Sequence, residues 1–481
     1  MKILNKTILI TSFFLSACAV GPDYVRPTVE TPAAYKEAKV PAEKQEAGDW
    51  KPAQPSDAVV RGAWWEKFGD PELNALIAQV DVSNQTIAAA AAQVRVSAAL
   101  AEQSRAQFWP SVTGSVSRTE SKPSSTTGPI VGVATGKRII DSLPVNASWE
   151  ADLWGRIRRL VEAGDATTKA SAGDLLNARL SAQTTLAQDY FQLRALDTQS
   201  KLLEETVAAY AKTLELTKNR YTVGVVSRAD VVQAEAQLQS ARAQALDLGV
   251  QRSQLEHAIA VLLGKPASTF SLAPGTLDAS PHVPPVPVAG VPADLLERRP
   301  DIAAAERRVE AANAQIGVAR AAFFPVATLG ATYGFQTAQP KLWFTKPSLF
   351  WSIGPALAFT LLDGGRREAV SNQASAAYDQ TVANYRGVVL QAFAEVEDNI
   401  AALRILEAEA AVQEEGVKAA QQSLDISLNQ YKAGIVTFLQ VVTAQTALLQ
   451  AQVTALGIRT RRISASVLLV KALGGGWEPA R

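Results

Sequence analysis

Cysteine, histidine and methionine are almost absent from this chain. Its 481 residues include one Cys, one Met and two His. A lone cysteine can form no internal disulfide, and neither His257 nor His282 has neighbours at a catalytic or metal-binding spacing. Gly264-Lys265 lacks the upstream glycine of a phosphate-binding loop. The sequence therefore predicts no enzyme, no cofactor and no metal site.

An excess of one charge sign and long hydrophobic runs are missing as well. Lys and Arg total 47 against 46 Asp and Glu, and the two signs are interspersed. Nucleic-acid binding requires clustered basic residues, so that class of function is excluded. No stretch reaches the ~20 apolar residues of a membrane-spanning helix. Any membrane crossing is therefore expected to be by strands.

The N-terminus has the pattern of an export signal. Lys2 and Lys6 precede an apolar stretch over 8–15, and Leu15-Ser-Ala-Cys18 follows. This tetrapeptide matches the lipobox of bacterial lipoproteins, in which the cysteine becomes the acylated N-terminus. The alternative is an ordinary signal with a coincidental cysteine. Acylation would remove a thiol that is a liability in an oxidising compartment, and Ala19 after Cys18 favours sorting to the outer membrane.

Two similar segments about 210 residues apart indicate a tandem duplication. They are Tyr221-Thr-Val-Gly224-Val-Val-Ser-Arg-Ala-Asp230-Val-Val232 and Tyr431-Lys-Ala-Gly434-Ile-Val-Thr-Phe-Leu-Gln440-Val-Val442. The same spacing relates Leu186 to Val396 and Leu263 to Leu473. Chance similarity would not keep one register over so long a stretch.

Each half of the chain contains a predicted helical hairpin. The runs 156–221 and 366–431 have no Pro and carry apolar residues at helical spacing. At 1.5 Å per residue, a helix of ~66 residues is roughly 100 Å long. A Gly turn then leads into a second helix over 227–263 or 437–473, which a further Gly ends. Such long helices, poor in large apolar residues, are stable only beside other helices.

Between the helical parts lie four segments in which apolar and polar residues alternate. They cover 111–117, which is the weakest, 145–153, 327–336 and 351–361. One face is apolar with aromatics and the other is small and polar, as in strands that cross an outer membrane around a polar lumen. The alternative is a pair of half-buried hairpins on a soluble sheet. Connecting loops are predicted over 120–142 and 337–349.

Four strands cannot close a barrel, and an open edge in lipid leaves backbone groups without hydrogen bonds. The pattern therefore predicts an oligomer. A dimer would supply eight strands around a filled interior, whereas a trimer would supply twelve around a lumen.

The chain is expected to be organised into six consecutive segments. These are a signal peptide (1–17), a lipid-anchored extended segment (18–63), a first repeat (64–272), a Pro-rich linker (273–293), a second repeat (294–474) and a C-terminal tail (475–481).

Several longer motifs carry a family resemblance. They are Cys18-Ala-Val-Gly-Pro-Asp-Tyr24, Trp65-Glu-Lys-Phe68, Leu295-Leu-Glu-Arg-Arg-Pro-Asp-Ile302, Ala311-Ala-Asn-Ala-Gln-Ile-Gly-Val-Ala319 and Lys471-Ala-Leu-Gly-Gly-Gly-Trp477. With these motifs the chain resembles the TolC-like outer-membrane efflux factors, and more closely their OprM/NodT lipoprotein branch, over nearly its whole mature length.

The resemblance implies an α+β membrane protein. Its four strands per chain would form a twelve-stranded β-barrel in a homotrimer, continued by a long periplasmic α-barrel of coiled-coil helices. The implied function is the passive exit duct of a tripartite efflux pump, gated at its periplasmic end. The implied partners are a periplasmic adaptor protein, an inner-membrane RND transporter and outer-membrane lipid.

The resemblance also assigns gate residues. Leu439 matches a constricting leucine, and Asp230 and Tyr431 match positions that hydrogen-bond across the tips. The alternatives are helix packing for Leu439 and a simple helix-start acid for Asp230. Gln440 and Thr443 stand where relatives place aspartates, so an acidic mouth is not expected and the gate rests more on Leu439.

The two Gly turns are the expected contact sites for the adaptor, with plain turns as the alternative. Their residues are Tyr221, Gly224, Val225, Gly434 and Ile435. A second class of function stays open at this point, namely a structural or adhesive envelope lipoprotein with long coiled coils and no conductance.

Overall fold

The computed structural model describes residues 19–32, 34–37, 62–122, 124, 136–277 and 292–475. The predicted signal peptide and Cys18 lie outside the described residues, as do most of the Pro-rich linker and of the C-terminal tail. The chain divides into two compact units. The sheet unit comprises Met1–Thr28, Gln93–Ser171 and Ala304–Tyr385, and the hairpin unit comprises Val29–Ala92, Ala172–Ala303 and Arg386–Arg481.

The sheet unit is built on one antiparallel sheet. Its strands are β1 (Ser111–Gly114), β2 (Ser117–Ser121), β3 (Arg138–Ala151), β4 (Val326–Thr337) and β5 (Leu349–Ala358). β1 and β2 pair with successive parts of β3, so the sheet is four strands wide in the order β1/β2, β3, β4, β5. The loop predicted over 120–142 is shorter than expected, because β2 and β3 extend into it from both sides.

The strand predicted over 111–117 is interrupted. The break between β1 and β2 coincides with Pro144 on β3. The amide of Ser115 donates to the Pro144 carbonyl (3.1 Å), but proline has no N–H with which to return a bond. The four predicted segments are present, but two have other bounds, since β3 begins earlier than predicted, at Arg138, and β5 ends earlier than predicted, at Ala358.

The sheet has two chemically different faces, as the alternating pattern predicts. Register pairs Tyr333 with Trp351 and Ala331 with Ile353 on one face, where Trp351 is 68% and Ile353 65% exposed. On the other face the Thr332 hydroxyl donates to the Asn146 amide oxygen (2.9 Å). Within the described residues, β5 and the β1/β2 edge each pair on one side only.

Helices make up most of the described chain. They are α1 (Pro71–Ser83), α2 (Gln85–Ala106), α3 (Arg156–Thr222), α4 (Arg228–Leu262), α5 (Leu295–Arg298), α6 (Pro300–Ala321), α7 (Arg366–Lys432) and α8 (Phe438–Ala472). α3 and α7 have 67 residues each, and α4 and α8 have 35 each. The predicted hairpins are therefore confirmed almost to the residue.

Glycine turns join the helices of each hairpin. Gly224 and Gly434 have φ of +76° and +78°, a left-handed conformation that other residues adopt only at a cost. Gly264 and Gly474, with φ of +65° and +83°, follow the ends of α4 and α8. The positions at which the two hairpins turn and stop are thus set by backbone sterics.

The core of the hairpin unit surrounds the start of α1. Asp70 caps this helix by accepting the Glu72 and Leu73 amides (2.9 and 3.1 Å), and the Tyr190 hydroxyl donates to the same carboxylate (2.7 Å). Side chains from α1, α3, α4 and α8 and from the turn before α1 fill the core, including Phe68, Leu73, Ile77, Leu186, Tyr190, Leu193, Ile259, Leu263, Ile463, Val467 and Val470.

α8 is the one described helix that is long and apolar enough to cross a bilayer. The three core residues that it contributes, Ile463, Val467 and Val470, are almost fully buried. A core helix passes the same test of length and composition, so α8 is weak support for a helical membrane span.

The Leu295–Ile302 motif closes the same unit through Arg299. Its guanidinium donates to Asp301 (2.7 Å), Glu395 (2.7 Å) and the Ala472 carbonyl (3.1 Å). Arg299 is buried, and burying a guanidinium requires such charged and polar partners. The motif therefore connects the start of α6 to α7 and to the last residue of α8.

Candidate functional site

Both hairpin tips present apolar side chains to solvent. The Gly224 amide donates to the Tyr221 carbonyl (2.9 Å), and Gly434 does the same to Tyr431 (3.0 Å). These bonds complete the last turn of each long helix. All of the residues predicted to meet an adaptor are exposed at these turns, namely Tyr221, Gly224, Val225, Gly434 and Ile435.

Leu439 begins the exposed face of α8. It is 58% exposed, whereas its neighbours Phe438 and Val441 are buried. Thr443 lies one turn further on the same face, and its hydroxyl donates to the Leu439 carbonyl (2.9 Å). Gln440 is exposed beside them. Within one chain, then, Leu439 is not packed between helices and is free to meet another molecule.

Asp230 serves as a helix cap. Its carboxylate accepts the Ser227 amide (3.0 Å), while the Asp230 amide donates to the Ser227 hydroxyl (3.3 Å). The reciprocal pair is a capping box, which satisfies backbone N–H groups at the start of α4. Asp230 thus has the role that the helix-start alternative assigns to it.

Tyr431 has partners other than Asp230. It is 1% exposed, and its hydroxyl lies 3.3 Å from the Thr217 hydroxyl on α3. The predicted bond between Asp230 and Tyr431 is therefore not formed within this chain, because each side chain is engaged elsewhere. A role for the pair in contacts between chains stays a prediction.

Arg220 is a tip residue that sequence reasoning missed. Its guanidinium carbon lies 4.7 Å from the centre of the Tyr431 ring. One of its terminal nitrogens donates to the carbonyls of Tyr431 and Lys432, the latter at 3.2 Å. Comparison of the two repeats could have singled out Arg220, because the equivalent position in the second repeat is the uncharged Gln430. A basic residue in the last turn of a helix is also a common capping group.

Two further polar contacts join the hairpins near the tips. The Gln445 amide of α8 donates to the Thr213 hydroxyl of α3 (3.2 Å), and both side chains are buried. The Gln237 amide of α4 donates to the Thr446 hydroxyl (3.1 Å) at the surface. The same region holds an apolar cluster formed by Tyr210, Leu214, Ala234, Leu238, Ala241, Tyr431, Phe438 and Val441.

In the sheet unit, the segment after Cys18 runs extended along two helices. The Val20 amide donates to the Trp154 carbonyl (2.9 Å). Arg159 donates to Asp23 (2.8 Å), and the Asn313 amide donates to the Pro22 carbonyl (2.9 Å). Residues 19–32 contain no helix or strand. The wider assignment of 18–63 as an extended segment stays a prediction, as does acylation of Cys18.

The described residues include no group of three or more His, Cys, Asp or Glu side chains placed to hold a metal ion. The tips themselves contain exposed apolar side chains, a capping box and hydrogen bonds between helices.

Comparison with known proteins identifies the family. The model of the outer membrane efflux protein family matches residues 76–265 and again 291–475. The chain belongs to this family.

Individual relatives agree with that assignment. The chain is 32% identical over 474 residues to the probable efflux pump outer membrane protein TtgC of Pseudomonas putida, covering 98% of this chain and 95% of that protein. It is 29% identical over 484 residues to the pyoverdine export outer membrane protein OpmQ of Pseudomonas aeruginosa, covering 100% and 98%.

Solved structures of outer-membrane channels have the same fold. The outer-membrane channel OprN superimposes with a TM-score of 0.83 at 28% identity, covering 96% of this chain and 100% of that one. The outer membrane protein VceC of Vibrio cholerae gives 0.78 at 30% identity, covering 87% and 100%. The protein is thus an α+β efflux component of the outer membrane, and its family is one of transport proteins.

Proposed function

We propose that the chain is one third of a trimeric exit duct, which conducts substrates passively from the periplasm to the exterior. The observation that carries this proposal is the sheet, which is four strands wide, has one apolar exposed face and pairs on one side only at each edge. An isolated sheet of this kind is stable neither in lipid nor in water. In lipid its edges lack hydrogen bonds, and in water its aromatic face is exposed.

Copies of the chain resolve both problems. Joining β5 of one copy to the β1/β2 edge of the next gives every edge a partner and turns the apolar face to lipid. Two copies make an eight-stranded barrel that side chains fill, whereas three make twelve strands around an open lumen. The small polar side chains of the other face, including Asn146 and Thr332, would line that lumen.

The long hairpins supply the periplasmic part of the duct. At 1.5 Å per residue, the 67 residues of α3 or α7 span roughly 100 Å. The long helices of three chains would form an α-barrel, and the exposed apolar tips would meet a periplasmic adaptor that connects the duct to an inner-membrane RND transporter. Cys18 would carry the acyl chains that anchor the mature N-terminus.

We infer that the exported compound is selected by another component of the pump and not by this chain. Relatives are named for toluene, antibiotic or pyoverdine export, although each aligns with this chain over 95% or more of its own length. A lumen of small polar groups does not distinguish such compounds, so we assign selection to the transporter.

Neighbouring positions on β5 offer a sharp test. Ile353 belongs to the apolar face and Ser352 to the small face. Ile353→Lys would place a charge in lipid, at about 2–4 kcal/mol per chain near the bilayer midplane, and should abolish membrane assembly. Ser352→Lys should assemble and shift the channel toward anions.

The measurements are mass in detergent and single-channel recording in a planar bilayer. The wild type should contain three copies and conduct ions. A trimer without conductance would favour a structural envelope lipoprotein, while a stable monomer, or equal tolerance of both lysines, would contradict the barrel.

A further inference from the structure

The end of α7 is held by a side chain from another helix. The last carbonyls of an α-helix have no partner within it and lie at the negative end of its dipole. Here the carbonyls of Tyr431 and Lys432 both accept from Arg220 of α3. Arg220 thus caps α7 with a full positive charge, and charge-assisted hydrogen bonds are stronger than neutral ones.

The same guanidinium is stacked on Tyr431. The separation of 4.7 Å from the ring centre is within the range of a cation–π contact. The Arg220 Nε is buried and has no hydrogen-bond partner in the described part of the chain. A buried donor without a partner is unfavourable, so the stack and the two carbonyls must outweigh that cost to hold the side chain in place.

Arg220 ends a stripe of contacts along one face of α3. Thr213, Thr217 and Arg220 follow one another at helical spacing, and they contact Gln445, the Tyr431 hydroxyl and the Tyr431 carbonyl. All of these partners belong to the second hairpin. The Thr213 and Thr217 contacts join neutral groups. Because hydrogen bonds from a charged donor are stronger than neutral ones, Arg220 is the strongest polar connection of the stripe.

The duplication shows that this connection is built on one side only. Tyr221, the counterpart of Tyr431, is 44% exposed, and the counterpart of Arg220 is Gln430. The first tip therefore holds the second, whereas the second has no equivalent arginine to hold the first.

We propose that Arg220 is a positioning residue that locks the α7/α8 tip to the α3/α4 tip of the same chain. Loss of the lock lets the second tip, with Leu439, move away from the first. The consequence for gating rests on the proposed function, but the lock itself does not.

Three substitutions test the lock, and the first copies the equivalent residue of the second repeat. Arg220→Gln installs the residue of the second repeat, which removes the charge and the stack. Arg220→Lys keeps the charge but has no planar guanidinium to lie over the ring while donating to the two carbonyls. Lys218→Gln is the matched control, since Lys218 lies on the same turn and forms an exposed ion pair with Glu235 (2.8 Å).

Spin labels are attached at the exposed positions Thr222 and Ala433 of the full-length protein. Pulsed electron paramagnetic resonance then measures the distance between the two tips. We expect longer and broader distances in Arg220→Gln, an intermediate distribution in Arg220→Lys, and wild-type distances in Lys218→Gln. Wild-type distances in both Arg220 variants would overturn the lock. If Arg220→Gln does not assemble, Arg220→Lys alone decides between these outcomes.

Single-channel recording distinguishes a failure of the proposed lock from a failure of the proposed duct function. Raised conductance in Arg220→Gln, together with separated tips, supports the lock as a gate element. Separated tips with unchanged conductance would retain the lock and overturn its role in gating. A wild-type protein that does not conduct would refute the duct, while the distances still test the lock.

Discussion

At the scale of single residues, Asp189 shows how burial alone changes the behaviour of a carboxylate. It lies half-buried on α3 next to the core residue Tyr190. Burial raises its pKa from the ordinary value to about 6, because the charged form loses hydration. The folded protein therefore binds a proton more tightly at this site than the unfolded chain does.

The sign of the pH effect follows from proton linkage. Between the unfolded pKa near 4 and the folded pKa of about 6, the folded state holds more protons, so stability falls as pH rises. Above the folded pKa the penalty is constant. Asp189→Asn should therefore raise the thermal midpoint at about pH 7.5, and it should weaken the decline between the two pKa values.

Circular dichroism melts of the detergent-solubilised protein measure this effect. Asp247→Asn, at an exposed position on α4, is the control and should change the midpoint little. A midpoint for Asp189→Asn that stays at the wild-type value under these mildly alkaline conditions would show that the carboxylate is hydrated in the assembled protein.

Residue roles were the least predictable part of the site. The family resemblance assigned gate roles to Leu439, Asp230 and Tyr431, which stay predictions, and the sequence did not show which groups meet between the two halves of the chain. Asp230 bonds to Ser227 in its own helix turn, and Tyr431 meets Thr217 and Arg220. Local patterns predict local bonds, whereas long-range partners depend on how helices align.

At the scale of elements, prediction succeeded where one physical cause dominates. Both hairpins turn at glycines with positive φ, and the absence of proline permits 67-residue helices. The break between β1 and β2 needed the pairing partner Pro144, which the strand's own residues do not reveal. The start of α8 also differs from that of α4, because Thr437 makes no side-chain cap.

The extended N-terminal segment docks through a contact that only glycine allows. A Cβ on Gly317 of α6 would lie 2.8 Å from Arg159 Cγ and 2.9 Å from the Val20 carbonyl oxygen. Gly317→Ala should therefore displace the segment, lower the thermal midpoint and expose the Tyr24–Val25 bond to chymotrypsin. The Tyr24 hydroxyl otherwise donates to Glu306 (3.4 Å).

A second glycine provides the control for this prediction. A Cβ added to Gly416 of α7 would meet no atom within 4 Å, so Gly416→Ala should stabilise the helix by up to about 1 kcal/mol. Equal midpoints and equal chymotrypsin sensitivity for Gly317→Ala and wild type would show that the segment is not held by this contact.

At the scale of the whole molecule, the duplication was the most informative feature of the sequence. It specified two hairpins and two strand pairs, and the family model matches both halves. The two repeats nevertheless differ in sequence at their tips. Gln430 stands in the second repeat at the position of Arg220, and Gln440 stands at the position of Asp230, which forms a capping box only in the first repeat. Such differences alter which tip is held, although they leave the fold unchanged.

The proposed gate can be tested because Leu439 is exposed in a single chain. Three copies of Leu439 around one axis would form an apolar ring, which blocks solutes by its narrowness and by expelling water. Leu439→Ala should widen the ring, raise single-channel conductance and make cells sensitive to vancomycin. Since the side chain is 58% exposed within the chain, the substitution should leave the thermal midpoint nearly unchanged.

Leu246 on α4 is the matched control, because it is an exposed leucine outside the tips. Leu246→Ala should keep wild-type conductance and vancomycin resistance. If Leu439→Ala instead lowers the thermal midpoint and leaves conductance unchanged, Leu439 packs between chains and the constriction lies elsewhere along the helices. A rise in conductance that Leu246→Ala reproduces would indicate general loosening of the α-barrel, and the assignment of the gate to Leu439 would be wrong.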